Sequence, residues 1–565
     1  MNVKKLDMEL DFTKTYSENI NEDKSIREAR CLKIMFKDAF CSIEEGDLFA
    51  GRLKYPKVGF GLEEASGGPA YYCATQEIQK ITSACECDDE YRSRIKQMNS
   101  FWDVNATIRG KLWKGMPVDL RKNTSNGIGD DFGRLSGACI DFQKLVRLGI
   151  PGLLEEVRGY EHNAVINGLD VKFYEGARMA LELLINLCLE YSRQAKDLVE
   201  TTDNIERKKE LIKLSQVLEK ITDARPETLR EAMQLMWLYA LISGVVNYGR
   251  MDVYLGNYFV NDVAKGIITE DEALKLLQSL WKLIADRKIN FNSRIIIGGR
   301  GRRNEENADR FSILAMEATR TVIETEPQLT LRFYKGMNPV LMEKALDVIG
   351  EGRTFPMLYN DDVNVPAVQH AFNIVKEDAE QYIPYGCGEY AIEGLGFGSP
   401  SSSLNLLKTL HITMYNGLDK STGKQIGLKT GEFSDFKTFE EFFNAYKLQL
   451  KFFTSELAKR HVFEYDVLEK EASFLYISML FDNCLEEGKS IVSACKYKGG
   501  IIESFGLVNA SDSLTAIKEL VFDKKSLTHE VLLKVLESNF INYEKQHNII
   551  LNSPNMAMMM KQQMV

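Results

Sequence analysis

Short apolar runs that alternate with helical segments after residue 245 are the feature that most constrains the fold of this chain. The run RIIIGGRG at 294–301 is predicted to be a strand that enters a glycine turn, and QLTLRFYKG at 328–336 alternates as a half-buried strand does. A helical segment closed by glycines, VLMEKALDVIGEG, separates the latter from FPMLYNDDV at 355–363, a further predicted strand with acidic residues at its C-terminal end. This alternation predicts an α/β architecture, in which chemistry gathers on loops at strand ends.

The part of the chain before about residue 245 is predicted to be mainly helical. Residues 173–200 keep apolar positions at helical spacing for many turns, and 226–244 begin with a proline and an acidic residue, as helix openings do. No glycine- or serine-rich linker and no internal repeat divides the sequence. We therefore expect one domain over 1–565, with its core at about 245–553.

Charge and cysteine usage exclude several classes of function. The net charge of −10 disfavours nucleic acid or an anionic membrane as the main partner. No apolar run of about 18 residues predicts a membrane span, and the opening MNVKKLDMELDFTK has no apolar core of a secretory signal. The ten cysteines are scattered and the histidines show no paired ligand spacing. We expect reduced thiols, a cytoplasmic location and no bound metal or cofactor.

The stretch YIPYGCGEY at 382–390 places a thiol and a carboxylate two residues apart. In an extended segment Cys387 and Glu389 would point to the same side, and Gly388 would leave room between them. A carboxylate in that position can act as a general base, and a thiol can act as a nucleophile or, after one-electron oxidation, as an abstractor of hydrogen atoms. The alternative is an ordinary turn with a buried cysteine. The local pattern leaves both open.

The chain resembles the glycyl radical enzymes, the pyruvate formate-lyase-like family, nearly throughout and in order. Similar stretches are RPETLREAMQLMWLYAL, the segment at 249–283 that begins GRMDVYLGNYF, the strands IIIGG, LTLRFYKG and FPMLYNDDV, and the segment at 507–544 that begins LVNASDSLTAIKEL. YGCGEY lies where the family has its G-C-x-E finger loop.

The resemblance implies a ten-stranded α/β barrel of two half-barrels, surrounded by helices. It implies that Cys387 is carried into the barrel centre, becomes a thiyl radical and takes a hydrogen atom from a small polar organic substrate, with Glu389 as the neighbouring base. A dehydratase, a C–X lyase or a decarboxylase is the expected activity. The expected partners are a radical S-adenosylmethionine activating enzyme and a second copy of the chain.

Two glycines of the loop depart from the family's pattern. Pyruvate formate-lyase itself carries two adjacent cysteines here, whereas position 386 is glycine, which disfavours formate C-acetyltransferase activity as the alternative. Gly388 stands where the family commonly has a bulkier residue. Neutral drift and a roomier pocket are both open explanations.

Further candidate substrate contacts follow from the strands and from SPSSSLNLL. This serine-rich stretch is predicted to open a helix whose N–H groups and hydroxyls face the pocket, or simply to cap that helix. Three charged residues elsewhere line the barrel in one interpretation and form structural ion pairs in the other. The candidates are Ser401, Ser402, Ser403, Arg332, Asp252 and Asp361.

The family's radical-bearing motif, similar to R-V-x-G-Y, is not found near the end of the sequence. The stretch EEVRGYEHN contains Gly159 but lies in the wrong third of the chain, so we interpret it as a chance match. A one-base shift in the codons for PNMAMMMK gives Lys-Tyr-Gly-Asn-Asp-Asp-Glu, similar to the family's P-K-Y-G-N-D-D. Residues 554–565 are therefore predicted to be out of frame. The chain alone is expected to lack the glycyl radical domain and to be inactive without it; a separate glycyl radical subunit or an inert scaffold are the alternatives.

Overall fold

The computed structural model describes residues 6–54, 88–105, 108–131, 137–289, 293–386 and 388–555. The chain divides into two compact units. The larger unit comprises Met1–Lys111, Arg134–Ser399 and Tyr465–Gly499. The smaller unit comprises Leu112–Gly133, Pro400–Glu464 and Gly500–Val565.

The larger unit is mainly helical, as predicted for the N-terminal part. Its helices are Asp7–Glu18, Lys24–Met35, Asp89–Asn105, Phe142–Ile166, Lys172–Thr201, Ile205–Asp223, Leu229–Ser243, Met251–Ala264, Glu270–Asp286, Glu305–Thr321, Pro339–Gly350, Asp361–Phe372, Lys376–Ala379, Leu475–Ser478, Cys484–Glu487 and Ile491–Ala494. Two further helices, Ile108–Gly115 and Phe439–Glu471, each include a residue at which the units are divided.

Helix Leu229–Ser243 begins later than its sequence suggests. Pro226 is not its first residue; Thr228 caps the helix, since its side chain accepts the N–H of Glu231 while the Glu231 carboxylate accepts the N–H of Thr228. This reciprocal capping satisfies two N–H groups that a helix start leaves without partners. Helix Lys172–Thr201, in contrast, confirms the helical spacing seen at 173–200.

Three parallel strands form a sheet in the larger unit. Arg294–Gly298, Gln328–Phe333 and Met357–Asn360 pair in that order, connected by the helices Glu305–Thr321 and Pro339–Gly350. The α/β prediction is confirmed. The expectation of a half-buried strand at 328–336 was wrong, because its four central residues are all buried. Strands of parallel sheets are commonly covered on both faces, so their apolar residues need not alternate.

The YIPYGCGEY stretch folds as a β-hairpin. Its strands Tyr382–Tyr385 and Glu389–Ile392 are antiparallel, with Tyr385 opposite Glu389. Gly386 and Gly388 in the turn have φ of +55° and +130°, a left-handed region that glycine adopts without a Cβ penalty. Cys387 lies outside the described residues.

The smaller unit contains a mixed sheet with Ser401–Asn405 in the middle. That strand pairs antiparallel with Gly129–Asp131 and parallel with Ile501–Phe505. The remaining elements are the helices Val118–Asn123, Leu406–Met414, Leu507–Ile517, His529–Glu537 and Glu544–Leu551, the π-helical turn Lys518–Asp523, the 3₁₀ turn Phe433–Asp435 and the short strands Leu418–Asp419 and Lys424–Gln425.

The prediction that Ser401, Ser402 and Ser403 open a helix was wrong. They lie in the central strand, and the helix begins at Leu406, after Asn405, whose side chain accepts the N–H of Lys408 at 2.9 Å. An asparagine is among the best N-caps, and strand pairing on both sides holds the serines extended.

The remaining expectations concern Gly159, the predicted out-of-frame tail, membrane-spanning helices and the number of barrel strands. Gly159 lies inside helix Phe142–Ile166, on its exposed side. Residues 556–565 of the predicted out-of-frame tail lie outside the described residues. Within the described ranges, no helix is both long and apolar enough to cross a membrane. The ten-strand count of the barrel stays a prediction.

We expect Asn405→Ala to lower the free energy of unfolding by about 1 kcal/mol, because it removes the acceptor for the Lys408 N–H. Ser403→Ala is the matched control, since that hydroxyl makes only a 3.4 Å hydrogen bond to the Asp130 carbonyl, and its cost should stay within about 0.5 kcal/mol. Urea titration of both variants measures the difference. Equal costs would contradict the assignment of Asn405 as the cap.

Candidate active site: an anchored hairpin

The hairpin lies along the parallel strands, with its base at their C-terminal ends. Arg332, near the C-terminal end of its strand and opposite Gly298, donates from Nη1 to the Tyr382 carbonyl at 3.0 Å and from Nη2 to the Glu380 carbonyl at 2.9 Å. Its guanidinium carbon also lies 3.9 Å from the centre of the Tyr382 ring. One buried cation thus fixes the residues at which the hairpin begins.

Asp361 is the counterion of Arg332. Nε and Nη2 of Arg332 each donate to one carboxylate oxygen of Asp361 at 2.9 Å, and both side chains are completely buried. The carboxylate also accepts the Tyr382 hydroxyl at 2.7 Å and the Arg300 N–H at 2.7 Å. Burial by itself would raise the pKa of Asp361, but the charge and hydrogen bonds of Arg332, together with the hydrogen bonds from the Arg300 N–H and the Tyr382 hydroxyl, hold that pKa below its usual value. Both residues therefore form a satisfied ion pair; contact with a substrate stays a prediction for them.

Arg250 provides a second anchor for the hairpin base, which the sequence did not single out. Its Nη1 donates to the Glu380 carbonyl at 3.1 Å and to Gln381 Oε1 at 2.9 Å, while its Nη2 donates to the carbonyls of Gly298 at 3.0 Å and Arg300 at 2.7 Å. Burial lowers the pKa of Arg250 to about 10. Its place in the segment that begins GRMDVYLGNYF was the available signal.

Asp252 belongs to a separate buried network behind the strand end. Its Oδ2 accepts the Gly298 N–H at 2.8 Å, Arg302 Nη1 at 3.2 Å and the Ser312 hydroxyl at 3.2 Å. Its Oδ1 is buried and has no hydrogen bond among the described residues. The structure thus places Asp252 as a link between helix Met251–Ala264, the strand and helix Glu305–Thr321.

The geometry of the hairpin tip accounts for glycine at positions 386 and 388. Glu389 folds back so that its Oε2 accepts the Gly388 N–H at 2.9 Å. A Cβ on residue 386 would lie 2.3 Å from that oxygen, so Gly386 makes space for the carboxylate. At Gly388 the nearest atom to an added Cβ is the Tyr359 hydroxyl at 3.6 Å, so the φ of +130°, rather than lack of space, favours glycine there.

The three serine candidates lie in the smaller unit and differ in their contacts. Ser402 Oγ and His461 Nε2 are 2.6 Å apart, and burial lowers the pKa of His461 to about 4. Ser403 donates to the Asp130 carbonyl at 3.4 Å. The buried Ser401 hydroxyl has no hydrogen bond among the described residues. Substrate contact stays a prediction for all three.

A carboxyl and a thiol that the sequence reasoning missed lie just past the hairpin. Glu393 Oε1 accepts the Arg250 N–H at 3.3 Å and lies 4.0 Å from Cys139 Sγ. Burial, together with the charge of Asp141, raises the pKa of Glu393 to about 8 in spite of the nearby Arg250. Burial also raises the pKa of the Cys139 thiol well above its usual value. Cys139 lies 254 residues from Glu393 in the sequence, so no local pattern pairs them.

Across the ranges that the structure describes, no cluster of three or more histidine, cysteine, aspartate or glutamate side chains has the arrangement of a metal site. The chemical groups at the hairpin are the thiol of Cys387 in the sequence, the Glu389 carboxylate at the tip, and the buried guanidinium groups of Arg332 and Arg250 at the base.

Buried arginines anchor this hairpin in an α/β core, and its tip carries G-C-G-E. Comparison with known proteins identifies the class of protein to which the chain belongs. Residues 3–555 match the pyruvate formate lyase-like family model, and the chain belongs to that family. It is 26% identical to a trans-4-hydroxy-L-proline dehydratase of Clostridioides difficile over 90% of this chain and 68% of that protein. It is 25% identical to an isethionate sulfite-lyase of Oleidesulfovibrio alaskensis over 96% and 71%.

Solved structures show the same fold. A glycyl radical enzyme from Archaeoglobus fulgidus superimposes with a TM-score of 0.84 at 23% identity, covering 97% of this chain and 74% of that one. The chain spans between about half and three quarters of the length of the proteins it matches.

We expect Arg332→Met to lower the free energy of unfolding by about 3–5 kcal/mol, because it leaves the Asp361 carboxylate buried without its counterion. Arg320→Met is the control: this arginine pairs with Glu317 at 2.6 Å but is about one third exposed, so its loss should cost at most about 1 kcal/mol. Denaturant titration compares the two, and a small cost for Arg332→Met would show that the ion pair does not hold the hairpin base.

We expect Glu393→Gln to change how stability depends on pH. The folded state keeps Glu393 protonated up to a pKa of about 8, whereas the unfolded chain releases that proton near pH 4.3, so wild-type stability falls as pH rises between these values. Glutamine removes this contribution. The variant should therefore gain stability relative to wild type from about pH 4.5 to about pH 8 in denaturant titrations. Parallel curves would mean that Glu393 is ionised in the folded protein.

Proposed function

We propose that this chain is the core of a glycyl radical enzyme that uses Cys387 to remove a hydrogen atom from a small polar organic substrate. Dehydration, cleavage of another C–X bond or decarboxylation follows. The observation that carries the proposal is the hairpin itself. Its base is fixed by buried Arg332 and Arg250, and at its tip the Glu389 carboxylate accepts the Gly388 N–H, one residue after Cys387 in the sequence.

The two side chains have complementary tasks in this proposal. A glycyl radical would supply one oxidising equivalent, and the Cys387 thiol would give up its hydrogen atom to it. The sulfur of Cys387 then takes a hydrogen atom from a substrate C–H bond and later returns it to the product radical. Glu389 accepts the proton of a hydroxyl on the radical carbon and delivers it to the leaving group, so that hydroxide departs as water. Protons and electrons balance over the cycle.

The comparisons support elimination more than acyl transfer. Relatives of this chain are a dehydratase and a sulfite-lyase by name. Formate C-acetyl transfer is the weaker candidate, because Gly386 supplies no second thiol and a side chain there would meet the Glu389 carboxylate.

We propose as partner a radical S-adenosylmethionine activating enzyme, which installs the radical on a glycine of the same polypeptide or of a separate subunit. A cytoplasmic location and a homodimer complete the proposal. The six described cysteines are all free thiols, as a reducing compartment would keep them.

The test is anaerobic activation of the chain by such an enzyme, with and without a separately supplied glycyl radical subunit. Turnover is assayed on small hydroxylated acids and sulfonates, beginning with trans-4-hydroxy-L-proline and isethionate. We expect Cys387→Ser to abolish turnover and Glu389→Gln to lower kcat by about a hundredfold to ten-thousandfold. Both variants should keep the doublet radical signal in electron paramagnetic resonance spectra, because neither stores the radical.

Cys41→Ser serves as the control, since it removes a partly exposed thiol far from the hairpin in sequence, and it should leave turnover unchanged. Full turnover by Cys387→Ser would overturn the assignment of the reacting thiol. A radical signal without turnover on any of the substrates in the wild type, and with no effect of Cys387→Ser on the radical's decay, would favour an inert scaffold.

A further inference from the structure

Arg294 is a buried arginine to which the proposed reaction assigns no task. It is the first residue of the strand Arg294–Gly298, directly before three buried isoleucines, and only 1% of its surface is exposed. A guanidinium group stays charged inside a protein, so burying it at the start of an apolar strand is costly unless specific contacts compensate.

The contacts of Arg294 connect the sheet with the tip of the hairpin. Its Nη2 donates to the Gly386 carbonyl at 2.6 Å. Its Nη1 donates to the Thr330 hydroxyl at 3.1 Å and to Met357 Sδ at 2.8 Å, on the other two strands of the sheet. The peptide group that Arg294 holds is the one directly before Cys387. The hairpin is thus held at its base by Arg332 and at its tip by Arg294.

The tip needs such a tether because of its composition. Gly386 and Gly388 have no side chains to pack, and a chain of glycines loses more conformational entropy on ordering than any other. The Gly388 N–H bonds to the Tyr385 carbonyl at 3.1 Å and to the Glu389 carboxylate at 2.9 Å, but both partners belong to the hairpin itself. Arg294, in contrast, ties the tip to another element.

The tether by Arg294 also persists when Glu389 changes its charge. In the proposed reaction Glu389 takes up a proton, which weakens the charge-assisted hydrogen bond from Gly388 to its carboxylate. The hydrogen bond from Arg294 to the Gly386 carbonyl does not involve that carboxylate. The tip can therefore keep its position through the step in which its internal bond is weakest.

We propose that Arg294 is a positioning residue for Cys387, which fixes the preceding peptide group and keeps a permanent positive charge beside the hairpin tip. The inference rests on the proposed function in that Cys387 is the reacting thiol. It has two measurable consequences. A fixed tip exchanges its amide hydrogens slowly, and a cation bound to the carbonyl of Gly386 would favour the thiolate of Cys387 and so lower the pH at which that thiol becomes reactive.

The experiment measures alkylation of Cys387 by iodoacetamide in the full chain as a function of pH, read by mass spectrometry of the peptide that contains it. Wild type is compared with Arg294→Gln and Arg294→Lys; Glu389 and Tyr359, which also lie beside the tip, are kept in all variants. We expect Arg294→Gln to raise the midpoint of alkylation by about one pH unit or more. Hydrogen exchange at residues 386–389 should become about tenfold faster.

Arg294→Lys separates charge from geometry. Lysine keeps the positive charge but cannot bond the carbonyl and the hydroxyl with one planar fork, so the midpoint should stay near that of wild type while exchange at the tip accelerates. Arg460→Gln is the matched control, because Arg460 is a buried arginine of the smaller unit that pairs with Glu464 at 2.9 Å. It should lower stability and leave both readouts at the hairpin unchanged.

Two results would overturn the inference. One is that both Arg294 variants lose stability while the midpoint of Cys387 alkylation and the hydrogen-exchange rate at the tip stay as in wild type. Arg294 would then have a structural role alone. The other is an unchanged exchange rate in Arg294→Lys, which decides the question even where Arg294→Gln does not fold. Neither readout requires a radical. If Cys387→Ser keeps full turnover, the proposed function is wrong, but alkylation of Cys387 can still depend on Arg294. The failure of the proposed function and the failure of this inference are therefore distinguishable.

Discussion

The buried ion pair of Arg332 and Asp361 is the interaction on which the candidate site depends. Two charges removed from water are stable together only if their geometry is good and their remaining donors and acceptors are satisfied. Both conditions hold here, because Arg332 also donates to two hairpin carbonyls and Asp361 also accepts the hydroxyl of Tyr382. The cost of burying the pair is thus offset by bonds that fix the hairpin to the strands.

The hairpin combines a rigid base with a tip built from glycines. At the base, buried side chains from the sheet determine where the backbone lies. At the tip, Gly386 has no Cβ and so leaves space for the carboxylate of Glu389, and Gly388 adopts a φ that other residues avoid. A reacting residue needs its neighbours within about half an ångström of the productive geometry. The glycines permit the turn, but only contacts from outside the hairpin can supply that accuracy.

Local patterns predicted the elements, and long-range contacts decided what the patterns left open. The strand at 294–298 and the helix Lys172–Thr201 were predictable because their periodicity lies within the segment itself. The serines were misassigned because their conformation is set by pairing with strands far away in the sequence, and because Asn405 is a stronger cap. Arg250 and Glu393 were missed for the same reason: their partners lie more than a hundred residues away. The G-C-G-E motif was found because its thiol and carboxylate are only two residues apart in the sequence.

The two strands of the hairpin are held by different kinds of interaction, and this asymmetry has a physical consequence. The first strand begins at carbonyls bound by permanently charged Arg332, whose partner Asp361 has a pKa held low. The second strand ends next to Glu393, a carboxyl that burial keeps neutral until its pKa of about 8. Ionisation above that pH places a second negative charge near Asp141. The charge of Arg250 offsets this only in part, and Nη1 and Nη2 of Arg250 already bind carbonyl and amide oxygens. The second strand, and not the ion-paired first, is therefore where alkaline pH loosens the hairpin.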